Sequence, residues 1–144
     1  MTPLEEAERE SRLWHIADAC TAVMEYTASR TIADYKSTRM LRAAVERELS
    51  NLGEALVRLR AVNPDIASKI TDVPRIIGFR NQLVHNYPAI EADEVWEIIH
   101  EHLPRLLAEV RALRHLNRYN LRHGRAPAAI TDHLEEIRAL YDAA

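Results

Sequence analysis

Apolar positions along the chain recur at steps of three and four, the period of helices that each bury one face. Leu13, Ile16, Cys20, Val23 and Thr27 share such a face and predict a first helix from Leu4 to about Thr27. Residues 28–37 break the period and read as a loop, with Ser37 or Thr38 capping the next helix. That helix runs to about Val62 along a seam of Leu41, Val45, Leu49, Leu52, Leu56 and Leu59. Asn63-Pro64 ends it, and residues 65–74 read as a connection with one short turn around Ile66 to Ile70. Pro74 suits the first turn of a third, shorter helix whose inward positions are Ile76, Phe79 and Leu83.

Pro88 closes that stretch abruptly, and Ala89 to Ala92 read as an extended link with Asp93 as the following N-cap. A long helix from about Glu94 to His115 or beyond carries Val95, Ile99, Leu103, Leu106, Val110 and Leu113. Its seam repeats the period of the second helix, which predicts two antiparallel helices in one bundle. Pro104 lies inside it and predicts a kink, because the ring removes one backbone donor. Trp96 reads as core or as a dimer contact. Past Gly124, Ile130, Leu134, Ile137 and Tyr141 predict a last short helix. The expected fold is all-α: an up-and-down bundle of four main helices over residues 1–116. Residues 117–144 are expected to add a basic link and a C-terminal helix packed on the same domain.

Composition fits one compact helical domain: 144 residues, 47% hydrophobic, with only three glycines. No apolar run is long enough to cross a membrane, and Met1 to Arg12 is acidic without an apolar secretory core. Cys20 is the single cysteine and reads as core filler, so a cytoplasmic location is the default expectation. A net charge of −3 sits awkwardly with nucleic-acid contact, which normally shows a basic footprint. Arg105, Arg111, Arg114, Arg118, Arg122 and Arg125 do cluster against one acid, Glu109. That run reads as a solvated helix face, a docking face for an acidic partner, or an RNA contact. No metal site and no cofactor is expected: His100 and His102 fall on different faces, and no H-E-x-x-H, cysteine pair or glycine-rich phosphate loop is present.

The usable chemistry is concentrated in Arg80, Asn81, His85 and Tyr87. Asn81 and His85 share a helical face, and the helix is expected to fray near His85 and turn its imidazole to solvent. Arg80 and His85 are separated by about 7.5 Å of helical rise. Arginine offers a planar fork that matches phosphate oxygens, and an ordinary histidine titrates near about pH 6.5. Such a pair can activate a ribose 2′-hydroxyl for attack on its own 3′-phosphate without a metal, with Arg80 balancing the charge that builds on the phosphate. Gly53 lies mid-helix, where a close backbone approach by another helix would explain it. Glu54 beside it either holds Arg80 or sits in solvent.

The run Arg80 to Tyr87 resembles the R-x-x-x-x-H-x-Y signature of HEPN-domain ribonuclease toxins, the HepT-like group in particular. Ala44-Val45-Glu46-Arg47 through Leu52-Gly53-Glu54-Ala55 resembles that group's A-V-x-R … I-G-E-A helix, with Leu52 where isoleucine is usual. Ile76-Ile77-Gly78-Phe79-Arg80-Asn81 resembles I-x-G-M-R-N, with Phe79 for methionine, and Val95-Trp96-Glu97-Ile98-Ile99 with Leu103-Pro104 resembles V-W-x-I-I … L-P. The likeness covers roughly residues 10 to 115. It implies a homodimer with both motifs facing a shared cleft, and a toxin of a type VII-like toxin–antitoxin pair that cleaves RNA. It implies Arg80 on phosphate, His85 as general acid/base, and Asn81 orienting His85 or the ribose. The cognate antitoxin would be a minimal nucleotidyltransferase that adenylylates Tyr87. The alternative expectation is a non-catalytic HEPN module that binds nucleotide or RNA, or a structural subunit of a nucleotidyltransferase complex.

Overall fold

The computed structural model describes residues 2–85 and 91–123, with 117–123 as helical backbone. The described elements are all helical: α1 (Pro3–Thr27), α2 (Ile32–Ser37), α3 (Arg39–Val62), α4 (Pro64–Ala67), α5 (Val73–Val84), α6 (Ala92–Glu97), a π turn (Ile98–His102) and α7 (Leu103–His123). The four main rods are α1, α3, α5 and the run from α6 through α7, as the apolar periodicity predicts. The predicted seams of the three long helices are buried. Leu13, Ile16, Cys20 and Val23 line α1, Val45, Leu49, Leu52, Leu56 and Leu59 line α3, and Leu103, Leu106 and Val110 line α7. Burial pushes the Cys20 thiol up to about 12, which leaves it an inert part of the core.

Two ties show the direction of the rods. Arg12, near the start of α1, reaches Asn63 at the end of α3, with Nη1 3.3 Å from Oδ1. Glu10 takes a 2.9 Å bond from Arg114 midway along α7, while Met24 and Thr27 at the other end of α1 line one pocket with Ile99, His100 and Pro104, where the π turn meets α7. α1 therefore runs antiparallel to both α3 and α7, and those two point the same way on either side of it. This corrects the antiparallel pairing expected between the two matched seams. Equal period does not encode direction, and α1 buries a face wide enough (Leu13, Ile16, Ala17, Ala19, Cys20, Val23) to serve both neighbours.

Three local expectations are also corrected. Residues 32–37 form a helical turn, not a loop. Thr31 and Asp34 close a reciprocal capping box, and Tyr35 is buried beside Trp96 with ring centroids 5.8 Å apart. The N-cap before α6 is Glu91, and Asp93 lies in the first turn, where its carboxylate suits the helix dipole and sits 3.6 Å from Lys36 Nζ. Thr38 occupies the N-cap of α3 but its side chain makes no capping bond. Trp96 is a core contact, partly buried, with the His100 ring centroid 4.6 Å away.

Pro104 acts through the π turn that precedes it. Leu103 N–H reaches back five residues to Ile98 O. The widened turn interrupts the regular ladder just before Pro104, the position where the sequence predicts a kink. His100 Nδ1–H donates to Trp96 O at 2.9 Å, so a side chain supplies a donor where the backbone ladder changes register. The helix then continues to His123. The predicted C-terminal helix lies outside the described residues. No helix of the described residues is long and apolar enough to cross a membrane.

Leu52 is fully buried at the centre of α3. Leu52→Ala is expected to cost about 2–5 kcal/mol, the range for a large-to-small core deletion. Urea unfolding should show this as a lower midpoint with an unchanged slope, and a midpoint at the wild-type value would refute the placement.

Candidate active site

α5 carries the candidate residues, and its two ends are held differently. Ile76, Ile77 and Phe79 bury one face. At the start, Thr71 donates from its amide and hydroxyl to the Glu109 carboxylate at 2.8 and 2.7 Å. Asp72 accepts a forked bond from Arg105, at 2.9 and 3.0 Å from Nη2 and 3.2 Å from Nε. At the far end the helix stops at Val84, with half-buried Leu83 as its last apolar inward position.

His85 is the C-cap. Its backbone (φ −82, ψ 2) has left the helix, its amide donates to Asn81 O at 3.1 Å, and the residue is exposed. The expected end of the helix at His85 and the turn of that residue to the surface are both seen. Asn81 is exposed one turn earlier.

Arg80 is positioned by Gly53. A Cβ at Gly53 would stand 2.2 Å from Arg80 Cβ and 2.4 Å from its Cγ. The aliphatic stem of Arg80 therefore lies directly on the backbone of α3, in space that only glycine leaves open. Arg80 Nε is buried there without a partner among the described residues, while Nη1 emerges to donate to Asn81 Oδ1 at 3.1 Å. That bond matters for geometry. Arg80 and His85 are about 140° apart around the helix, whereas Asn81 and His85 are about 40° apart. By bonding Asn81, the guanidinium is drawn around the helix toward the histidine's face. The fork thus meets the carboxamide of Asn81, and His85 is exposed one turn further along α5.

Glu54 is exposed and makes no ion pair with Arg80 among the described residues. It lines a groove of about 580 Å³ between α1 and α3, together with Arg12, His15, Asp18 and Arg58. Tyr87, with Asn86 and Pro88, lies outside the described residues.

Two of the basic-run arginines are committed inside the fold: Arg105 to Asp72 and Arg114 to Glu10. The Asp72–Arg105 pairing escaped sequence reading, because Asp72 looks like a plain helix start and Arg105 like one of many surface arginines. Among the described residues, no three His, Cys, Asp or Glu side chains gather as metal ligands. His100 and His102 do separate, the first to Trp96 and the second to Asp72 and Glu97.

An all-α bundle with an arginine and a histidine five residues apart on an exposed helix edge is the class that fold and site define. Residues 16–113 match the model of the family described as Ribonuclease HepT-like. The chain belongs to this HepT-like ribonuclease family. It is 33% identical over 100 residues to a protein of Methanocaldococcus jannaschii provisionally named as an RNase, covering 68% of this chain and 89% of that one. It is 28% identical over 103 residues to a provisionally named RNase of Caldanaerobacter subterraneus subsp. tengcongensis, covering 70% and 89%. A second protein of M. jannaschii, named as a gamma-glutamylcyclotransferase and provisional RNase, is 26% identical over 98 residues, covering 67% of this chain and 43% of that one. No solved structure matches at a significant level.

Gly53→Ala tests the seat of Arg80. Helix propensity alone favours the change by up to about 1 kcal/mol. The clash is with the root of the arginine side chain, which cannot swing away, and overpacking of this kind costs about 1–3 kcal/mol. Net destabilisation in a thermal melt is the expected outcome, and a more stable variant would show that the helices do not approach as described.

Proposed function

We propose that this protein is a metal-independent endoribonuclease and the toxin of a type VII-like toxin–antitoxin pair, acting in the cytoplasm. The observation that carries the reading is the Arg80–Asn81 bond, which turns the guanidinium toward the edge where His85 is exposed. In this reading Arg80 holds the scissile phosphate by charge-assisted bonds. His85 takes the proton of the ribose 2′-hydroxyl as that oxygen attacks the adjacent phosphorus, and the 5′-oxygen leaves with a proton. Arg80 then stabilises the extra negative charge on the phosphate oxygens. Asn81 keeps the fork in place and is within reach of the ribose.

One imidazole does not readily serve as base and acid in the same turnover. A homodimer that sets two copies of the motif across a shared cleft divides those roles, and this supports a dimeric enzyme. Tyr87, two residues past His85, is proposed as the site adenylylated by a minimal nucleotidyltransferase antitoxin. A bulky, negatively charged adduct there would fill the cleft and repel RNA.

Purified protein is expected to cut RNA in excess EDTA, leaving 2′,3′-cyclic phosphate ends. His85→Ala should remove cleavage, and Arg80→Ala should lower it by about 10²–10³-fold, the scale for losing a donor to a developing oxyanion. RNA binding without cleavage by the unmodified wild type, or cleavage that survives His85→Ala, would overturn the assignment. Intact mass after co-expression with the nucleotidyltransferase should rise in AMP-sized steps. Tyr87→Phe should abolish the rise, and persistence of the adduct in that variant would place the modification elsewhere.

A further inference from the structure

We infer that Asp72 and Arg105 form a positioning pair that aims the far end of α5, and with it Arg80 and His85. This rests on the reading of those two residues as the cleavage site. Asp72 stands at the N-cap of α5, where an aspartate ordinarily accepts from the first free amides of its own helix. Here its side chain makes no capping bond. The buried carboxylate is committed instead to α7, through the forked guanidinium of Arg105 at 2.9 to 3.2 Å. His102 of the π turn lies on the same carboxylate, with Nδ1 3.2 Å from Oδ1 but without the alignment of a hydrogen bond. The other ring nitrogen is 3.8 Å from Glu97, which in turn sits 3.6 Å from Arg75 of α5. Thr71 adds its two bonds to Glu109, one helical turn beyond Arg105.

These ties between the α5 segment and the α6–α7 rod all lie at its first end. The helix has 12 residues and spans about 18 Å, so a tilt of about 3° at this anchor moves the His85 end by about 1 Å. Bidentate guanidinium–carboxylate geometry is directional, and it fixes an angle as well as a distance. The π turn sets where His102 stands opposite Asp72, one residue before α7 begins. Asp72 and Arg105 touch no substrate; they act through the placement of α5.

The test uses the full-length protein with Asp72→Asn and Arg105→Lys. Each keeps the shape or the charge but removes the fork. At a temperature where each variant is fully folded, the His85 ring signals in a long-range proton–nitrogen NMR spectrum should shift, and the amides after Asn81 should exchange faster. kcat should fall by about tenfold to a hundredfold, the scale of an ångström-level misplacement. KM should change far less, because the effect is on alignment. A lower melting temperature with unchanged His85 signals and unchanged kcat would reduce the pair to a structural tie and overturn the proposal. If Asp72→Asn does not fold, Arg105→Lys decides alone. If the wild type does not cut RNA, the cleavage reading falls, while the ring signals still report whether the pair aims His85.

Discussion

The candidate site depends on one close approach, the stem of Arg80 lying on the bare backbone of Gly53. Any side chain on α3 at that point would push α5 outward, and the guanidinium would leave the surface edge it shares with Asn81. The approach fixes how near the two helices come, and it buries Nε while leaving Nη1 at the surface. A flexible surface arginine has many rotamers to lose on binding phosphate. The stem of Arg80 is confined against α3, so under the proposed reading less of that freedom is left to lose when phosphate binds.

Around that contact the bundle is built from α1 outward. Its broad apolar face takes α3 on one side and α7 on the other, and α5 then packs on α3. Charged side chains are drawn into the same architecture. Arg105 and Arg114, which could have been a basic landing strip, hold Asp72 and Glu10. In a chain with a net charge of −3, Arg80 is the cationic group that the described residues set at the candidate site. Recognition of RNA at such a site would lean on local geometry more than on long-range attraction.

Much of this was legible from spacing. The α3 seam from Leu41 to Leu59 and the α7 seam from Leu103 to Leu113 announce long helices, because a period of 3.6 sustained over several turns is the mark of a rod that buries one face. The exposed end at His85 was legible too, since Pro88 and the last inward residue, Leu83, bracket where the helix can stop. Residues 32–37 were not, because a six-residue helix shows too few turns for a period. It is held by the capping box and by Tyr35 against a residue far along the chain, Trp96. The use of Pro104 was half legible. Its misfit with a regular helix is local chemistry, but that a π turn forms in front of it depends on what packs nearby.

By itself, then, the order of residues determined the helical class, the four rods, the motif's place on a short helix and the family to which the chain belongs. Periodicity carries no sign, so only the tertiary structure decided that α3 and α7 point the same way. Nor could spacing show that Arg80 bonds to Asn81, that Glu54 lines the α1–α3 groove, or that Asp72 answers to Arg105. Those are long-range or rotameric choices. They are settled when buried surfaces close on one another and each polar group takes the partner that the packing leaves within reach.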